Sequence, residues 1–263
     1  MDISPRHAES FAAARLASKA RIPTVNKDIR TLRRVFNLAI EPRGYLPAGR
    51  NPFAKLKQRK VSLKPVRYVK PKELLTLLNS TTDTWWRTLM LLAYTSAGRR
   101  DELLNLTWVD IDFDKREIRF SPKEASESLL AWEPKDHEGR VVPVPPQTVQ
   151  LLEGLRAEVG GRSPYVFVSR ERLAHIMSRL KKGTWKPNLD IVNNIMRDLK
   201  AICQSAGMES FTLHDLRRSC ITNWAQVLPI HVVQKLAGHS DIKTIQRYYL
   251  AVQEGDLEKA RQF

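Results

Sequence analysis

Residues 85–94 read Trp-Trp-Arg-Thr-Leu-Met-Leu-Leu-Ala-Tyr, a run that is apolar on almost every side of a helix. A helix of this kind has no face to offer water, so it belongs inside a core. Helical periodicity recurs around it. Residues 72–79 and 102–108 read as helices, as do 147–159, 191–206, 216–226, 231–236 and 242–252. Residues 109–113 and 117–120 alternate apolar and polar positions and meet at Asp114-Lys115-Arg116, which predicts a hairpin. A third strand is expected at 140–144, ended by Pro143, Pro145 and Pro146, after a polar stretch at 121–133. Residues 160–190 carry Gly, Pro and charges and define no clear element. The fold class implied is mainly α with a small antiparallel β-sheet (α+β).

Charge divides the chain near residue 70. Residues 1–70 hold 17 Lys and Arg against 4 Asp and Glu, whereas residues 71–263 hold 27 against 24. A chain of net charge +16 calls for a polyanionic partner, and here most of the excess sits in the first quarter, as in a DNA-gripping arm ahead of a near-neutral body. Within that quarter residues 24–41 form an amphipathic helix: Val25, Ile29, Leu32 and Phe36 recur at helical spacing while Lys27, Arg30, Arg33 and Arg34 lie largely elsewhere. A second basic piece, with Lys55, Lys57, Arg59 and Lys60, follows Asn51-Pro52-Phe53, and residues 57–70 read as a linker. These eight cations are the candidates for phosphate contact.

Other classes are disfavoured. Cys203 and Cys220 show no metal-ligand spacing, so no structural zinc is expected and reduced thiols in a cytosolic protein are the simplest reading. No apolar run reaches about 18 residues, and residues 1–10 lack the apolar stretch of a signal peptide. No membrane partner is expected.

Five pieces carry chemistry. Arg99 and Glu102, in Ser96-Ala97-Gly98-Arg99-Arg100-Asp101-Glu102, sit three apart, so Glu102 can orient the guanidinium. Arg suits a phosphate because its planar fork donates two parallel hydrogen bonds and keeps its proton. His214-Asp215-Leu216-Arg217 repeats the spacing at a helix start. Gly238 of Leu236-Ala237-Gly238-His239-Ser240 permits a tight turn that presents His239. Tyr248 and Tyr249 follow nine and ten residues later, and helix geometry lets only one of them face a given site. Lys135 lies in the connection leading into the third strand. Singly, each has a plainer structural reading: a solvated ion pair, a capped helix, a satisfied core histidine, an exposed loop lysine.

Taken in order, Arg-x-x-Glu, the Lys before a strand, His-x-x-Arg, Gly-His-Ser and the nine-spaced Tyr resemble the tyrosine recombinase (phage integrase) family. The flanks fit as well: Leu-Leu-Asn-Leu-x-Trp-x-Asp-Ile-Asp at 103–112, Pro143 eight residues after Lys135, and Leu-x-Gly-His-Ser at 236–240. The resemblance covers roughly residues 85–250, more loosely at 150–195, while residues 24–57 resemble only the end of the family's core-binding domain. It implies a short helical core-binding domain at 1–60, a basic linker at 61–70 and a catalytic domain at 71–263. Arg99 and Arg217 then clamp the scissile phosphate, supported by His214 and His239. Lys135 is the general acid, Tyr248 the nucleophile and Glu102 a buttress.

The implied reaction is site-specific DNA cleavage and rejoining through a covalent 3′-phosphotyrosine, without metal, ATP or other cofactor. Four cationic or hydrogen-bonding groups stabilise the transition-state charge, and the same cluster favours the phenolate of a tyrosine whose free pKa is about 10. Double-stranded DNA is the expected partner, engaged by a homotetramer in which residues 254–263 dock on a neighbour, in the cytoplasm at the nucleoid. Two departures from the family pattern are visible. Ala97 stands where most members have Gly, with Gly98 following, so the local backbone is expected to differ. The N-terminal region also has room for only about half the usual helical bundle. The alternatives are a type IB topoisomerase-like nicking and closing enzyme, or an inactive or truncated DNA-binding relic of a mobile element.

Overall fold

The computed structural model describes residues 3–61, 67–135, 139–186 and 190–238. His239, Tyr248, Tyr249, the helix expected at 242–252 and the segment 254–263 lie outside the described residues. Two units are present, Met1–Pro65 and Val66–Phe263.

The first unit contains α1 (Pro5–Ala17) and α2 (Ile22–Ile40). The apolar stripe of α2 does what its period predicts: Val25 and Ile29 are buried, and Phe36 stacks at 5.6 Å on Phe53, which Phe11 of α1 meets edge-on at 6.2 Å. Helix α1 has no comparable stripe and buries only Ala8, which is why its sequence gave no signal. Buried Asn26 donates to the Arg59 carbonyl at 2.8 Å and accepts from the Arg59 N–H at 3.0 Å. Arg30 donates to Gln58 at 3.1 Å, so residues 58–59, expected in a linker, are held on α2.

The second unit is built around α4 (Thr84–Ser96), which Asp83 caps by accepting from the Trp85 and Trp86 N–H groups. Seven of its residues are buried, on most sides of the helix, as an all-round apolar run requires. It packs against α3 (Pro71–Ser80), α6 (Pro146–Val159) and α9 (Leu213–Val227). Burying each Leu side chain contributes roughly 1.5–3 kcal/mol, so Leu89 and Leu92 anchor the domain centre. Residues 67–70, expected within the linker, belong to this unit: the Val69 N–H donates to Ser219 Oγ at 2.8 Å, and Tyr68 Oη donates to Asn223 at 2.7 Å.

Strands β1 (Ile111–Asp112), β2 (Glu117–Phe120) and β3 (Arg140–Pro143) form one antiparallel sheet in the order β1-β2-β3. Ile118 pairs with Ile111 on one side and with Val142 on the other, while Phe120 pairs with Arg140. Strand β1 is shorter than expected because Trp108–Asp110 forms a 3-10 turn, with the Thr107 N–H donating to Asp110 at 2.8 Å. The helix expected at 102–108 is likewise only α5 (Arg100–Leu104). Among the described residues the remaining elements are α7 (Arg170–Lys181), in a region that defined no element by sequence, α8 (Ile195–Ser205) and α10 (Ile230–Ala237).

Candidate active site

Where α4 ends, Ala97 adopts a left-handed conformation, φ 48°, which turns the chain toward α5. Gly98 is required for space: a Cβ there would lie 2.5 Å from Leu103 Cδ2 and 3.1 Å from Phe120. The glycine that the family pattern puts at 97 is thus displaced by one position, and its duties are split. Ala97 bears the unusual φ, while Gly98 allows the close approach. The turn delivers Arg99 as the residue preceding α5, and the Arg99 N–H donates to Glu102 Oε2 at 2.6 Å.

Glu102 is the hub. Arg99 Nη1 donates to its Oε1 at 2.8 Å, and Arg140 spans both oxygens, Nη1 to Oε1 at 2.7 Å and Nη2 to Oε2 at 2.6 Å. Arg217 Nη1 stands 3.9 Å from Oε2. Glu102 is 2% exposed. Burial alone would raise its pKa, but the hydrogen bonds and charge of Arg140, the Arg99 N–H and the charge of Arg217 bring it down to about 2. One ionised carboxylate therefore faces three guanidinium groups, and the cluster keeps a positive excess.

A capping box starts α9. The Thr212 hydroxyl accepts from the Asp215 N–H at 3.1 Å, while Asp215 Oδ2 accepts from the Thr212 N–H at 2.9 Å. This fixes the first turn, from which His214 and Arg217 project. Desolvation and the nearby Arg218 and Arg217 lower the pKa of the His214 ring, which favours its neutral form. Arg217 is buried, donating to the carbonyls of Ala97 and, at 2.7 Å, of Ala237.

The third convergence is on the C-terminus of α10. Its last carbonyls each accept from a different arginine: Leu236 from Arg140 Nε at 3.0 Å, Ala237 from Arg217, and Gly238 from Arg99 Nη2 at 2.7 Å. Cations at the negative end of a helix dipole are stabilising, and these bonds satisfy carbonyls that have no partner within the helix. Arg99 and Gly238 are 139 positions apart in sequence.

Two lysines occupy the connection between β2 and β3, and the structure separates them. Lys123 Nζ lies 3.0 Å from Asp110 Oδ2, both side chains 7% exposed, and 5.2 Å from the Trp132 ring centre. Backbone bonds between Lys123 and Trp132 fold the polar stretch into a narrow ribbon. Lys135 is exposed at its end, and residues 136–138 lie outside the described residues. Of the sequence-predicted residues, then, Arg99, Glu102 and Arg217 come together with His214 on the same turn as Arg217. Lys135 stands at the end of the ribbon, and His239 and Tyr248 are not described.

Sequence reasoning assigned no role to Arg140 or to the carbonyls of α10. The signal for Arg140 was its parity: it shares a strand face with buried Val142, where a charge demands a counter-charge. In the first unit Lys27, Arg30, Arg34, Lys55, Lys57, Arg59 and Lys60 are exposed. Arg33 differs, because its guanidinium donates to the carbonyls of Phe53 at 2.9 Å and Leu56 at 2.6 Å.

The sequence profile of the phage integrase family matches residues 67–254. A putative integrase/recombinase of Haemophilus influenzae is 22% identical over 95% of this chain and 73% of its own length. The integrase of Salmonella phage P22 is 26% identical over 76% of this chain, which spans 47% of that relative's length. Among solved structures, the Tn1549 transposon integrase in complex with transposon right-end DNA superposes with a TM-score of 0.73, at 16% identity, over 99% of this chain and 85% of that one.

Proposed function

The chain belongs to the phage integrase family, and from that premise we propose that it is a site-specific DNA recombinase acting through a 3′-phosphotyrosine on Tyr248. The observation that carries the reading is the convergence of Arg99 and Arg217, from distant motifs, on one buried carboxylate and one helix end. Nothing in a bland helical core requires two guanidinium groups to be fixed side by side. A scissile phosphate does.

In this reading Arg99 and Arg217 bind the nonbridging oxygens, and His214 adds an N–H donor from the same turn as Arg217. His239 completes the set. Tyr248 Oη attacks phosphorus, the bond to the 5′-oxygen breaks, and Lys135 protonates that oxygen. The 5′-hydroxyl of a second strand then attacks the phosphotyrosine and restores the diester, so no nucleotide or metal ion is consumed. Lys135 is exposed at the end of the ribbon, whereas Lys123 is held 3.0 Å from Asp110, which favours Lys135 for the acid.

The first unit is proposed to act as the core-binding domain at 1–60. Lys27, Arg30, Arg34, Lys55, Lys57, Arg59 and Lys60 would face phosphates there, giving affinity that falls steeply with salt. Assembly as a homotetramer on DNA, with residues 254–263 docked on a neighbour, and residence in the cytoplasm at the nucleoid follow from the same reading.

The test is a nicked suicide substrate, which loses a short fragment on cleavage and traps the adduct. Wild type is expected to form covalent protein–DNA in the presence of EDTA, and Tyr248→Phe none. An adduct that persists in the variant moves the nucleophile to Tyr249, and a strict need for Mg²⁺ ends the proposal.

A further inference from the structure

We propose that Arg140 is a positioning residue of this site, holding Glu102 and the end of α10 in place and through them the guanidinium of Arg99. The inference rests on the reading above, in which Arg99 engages a phosphate.

Every group of the Arg140 head has a defined neighbour. Its two Nη atoms donate to the two Glu102 oxygens, its Nε donates to the Leu236 carbonyl, and its Cζ lies 4.5 Å from the Phe120 ring centre. All three of its side-chain nitrogens are engaged by Glu102 and the Leu236 carbonyl, so its effect on the reaction passes through these neighbours. Those neighbours are the ones that orient Arg99. Glu102 accepts from the Arg99 N–H and from its Nη1, and Gly238, two residues after Leu236, accepts from its Nη2.

A carboxylate is free to rotate about its last bond unless something fixes its plane, and a bidentate fork does so. Without Arg140, Glu102 could turn toward Arg217, now 3.9 Å away, and Arg99 would lose its reference direction. The fit at α10 is close too. A Cβ on Gly238 would come within 3.1 Å of Arg140 Cδ and Nη1, so the turn that precedes His239 is seated on this side chain. Arg140 also opens β3 five residues after Lys135, so it ties the strand that follows one proposed catalytic group to the frame of another. A lysine could supply the charge but not the planar fork.

The experiment compares Arg140→Met and Arg140→Lys with wild type in single-turnover cleavage of the suicide substrate, alongside DNA affinity by gel shift. The expected loss is about 100-fold in rate for Arg140→Met, the scale of a misplacement near 1 Å, with affinity changed less than about threefold. Arg140→Lys should recover only part of the rate. A substrate with sulfur at the bridging 5′ position leaves without a proton. It is expected to restore Lys135→Ala and to leave Arg140→Met slow.

Wild-type rate in Arg140→Met, a loss confined to affinity, or rescue by sulfur overturns the proposal. Combining Arg140→Met with Glu102→Gln should cost little more than either alone, whereas full additivity counts against it. If wild type forms no adduct, the functional reading has failed, and the positioning claim is still decided by crystal structures of wild type and Arg140→Lys. An Arg99 guanidinium and α10 end that stay in place without the fork refute it.

Discussion

Arginines are put to opposite uses in the two units. In the second, Arg99, Arg140 and Arg217 are anchored to a buried carboxylate and to successive helix carbonyls, so their directions are set before any ligand arrives. In the first, Lys27 and Arg34 stand on the exposed side of α2, where a guanidinium or ammonium is replaceable by any other cation. The lesson is one of fixation. Affinity for a polyanion needs charge near a surface, whereas stabilising a transition state needs charge pointed at one place.

The contrast breaks first at Glu102. Glu102→Gln leaves three guanidinium groups facing a neutral amide, and urea unfolding at pH 7 is expected to lose ~3–5 kcal/mol. Because the folded carboxyl ionises near 2 against an ordinary 4.5, its contribution is complete above pH 4.5 and disappears as pH falls toward 2. The gap between wild type and variant should narrow over that window, and a gap independent of pH would show that the charge is not what matters. Next, Arg99→Ala should cut single-turnover cleavage by about 10²–10³ while the protein still binds DNA. Equal losses in rate and affinity would erase the distinction between the units.

Gly98→Ala sharpens the comparison from the backbone side. Leu103 is fully buried and has little room to yield, so a stability loss of ~1–3 kcal/mol is expected in thermal or urea melts. The smallest effects belong to the first unit, and they differ in kind between neighbours on one helix. Arg34→Ala should lower the salt dependence of DNA binding by about one phosphate and leave stability alone. Arg33→Ala should instead destabilise the unit by ~1–2 kcal/mol through its two carbonyl bonds. If Arg33 and Arg34 prove interchangeable in both measurements, the structural distinction between them is wrong.

The sequence made different parts of this visible for different reasons. Helices α2 and α4 were plain because their apolar residues are numerous and correctly spaced, and β2 because Ile118 and Phe120 alternate with polar neighbours. Helix α7 was not, since only Leu173 and Ile176 of its twelve residues are buried and seven of the other ten are polar or charged. The pairing of Arg99 with Glu102 could be read from local spacing. Its extension to Arg140 and Arg217 could not, because contacts between residues far apart in sequence leave no periodic trace. Arg33 misled for the same reason: its partners at Phe53 and Leu56 are 20 and 23 positions away. The family pattern supplied the convergence of Arg99 and Arg217, while the role of Ala97 and Gly98 emerged only from the turn they build.

The seating of α10 on three guanidinium groups has a thermodynamic corollary. Under the proposed reading, a phosphate oxygen that took the N–H now donated by Arg99 to Gly238 or by Arg217 to Ala237 would do so at that carbonyl's expense, and anion binding would weaken the hold on the helix terminus. Linkage runs in both directions. Any factor that loosens the end of α10 would raise the affinity for the anion, and by the same factor the anion would loosen that end.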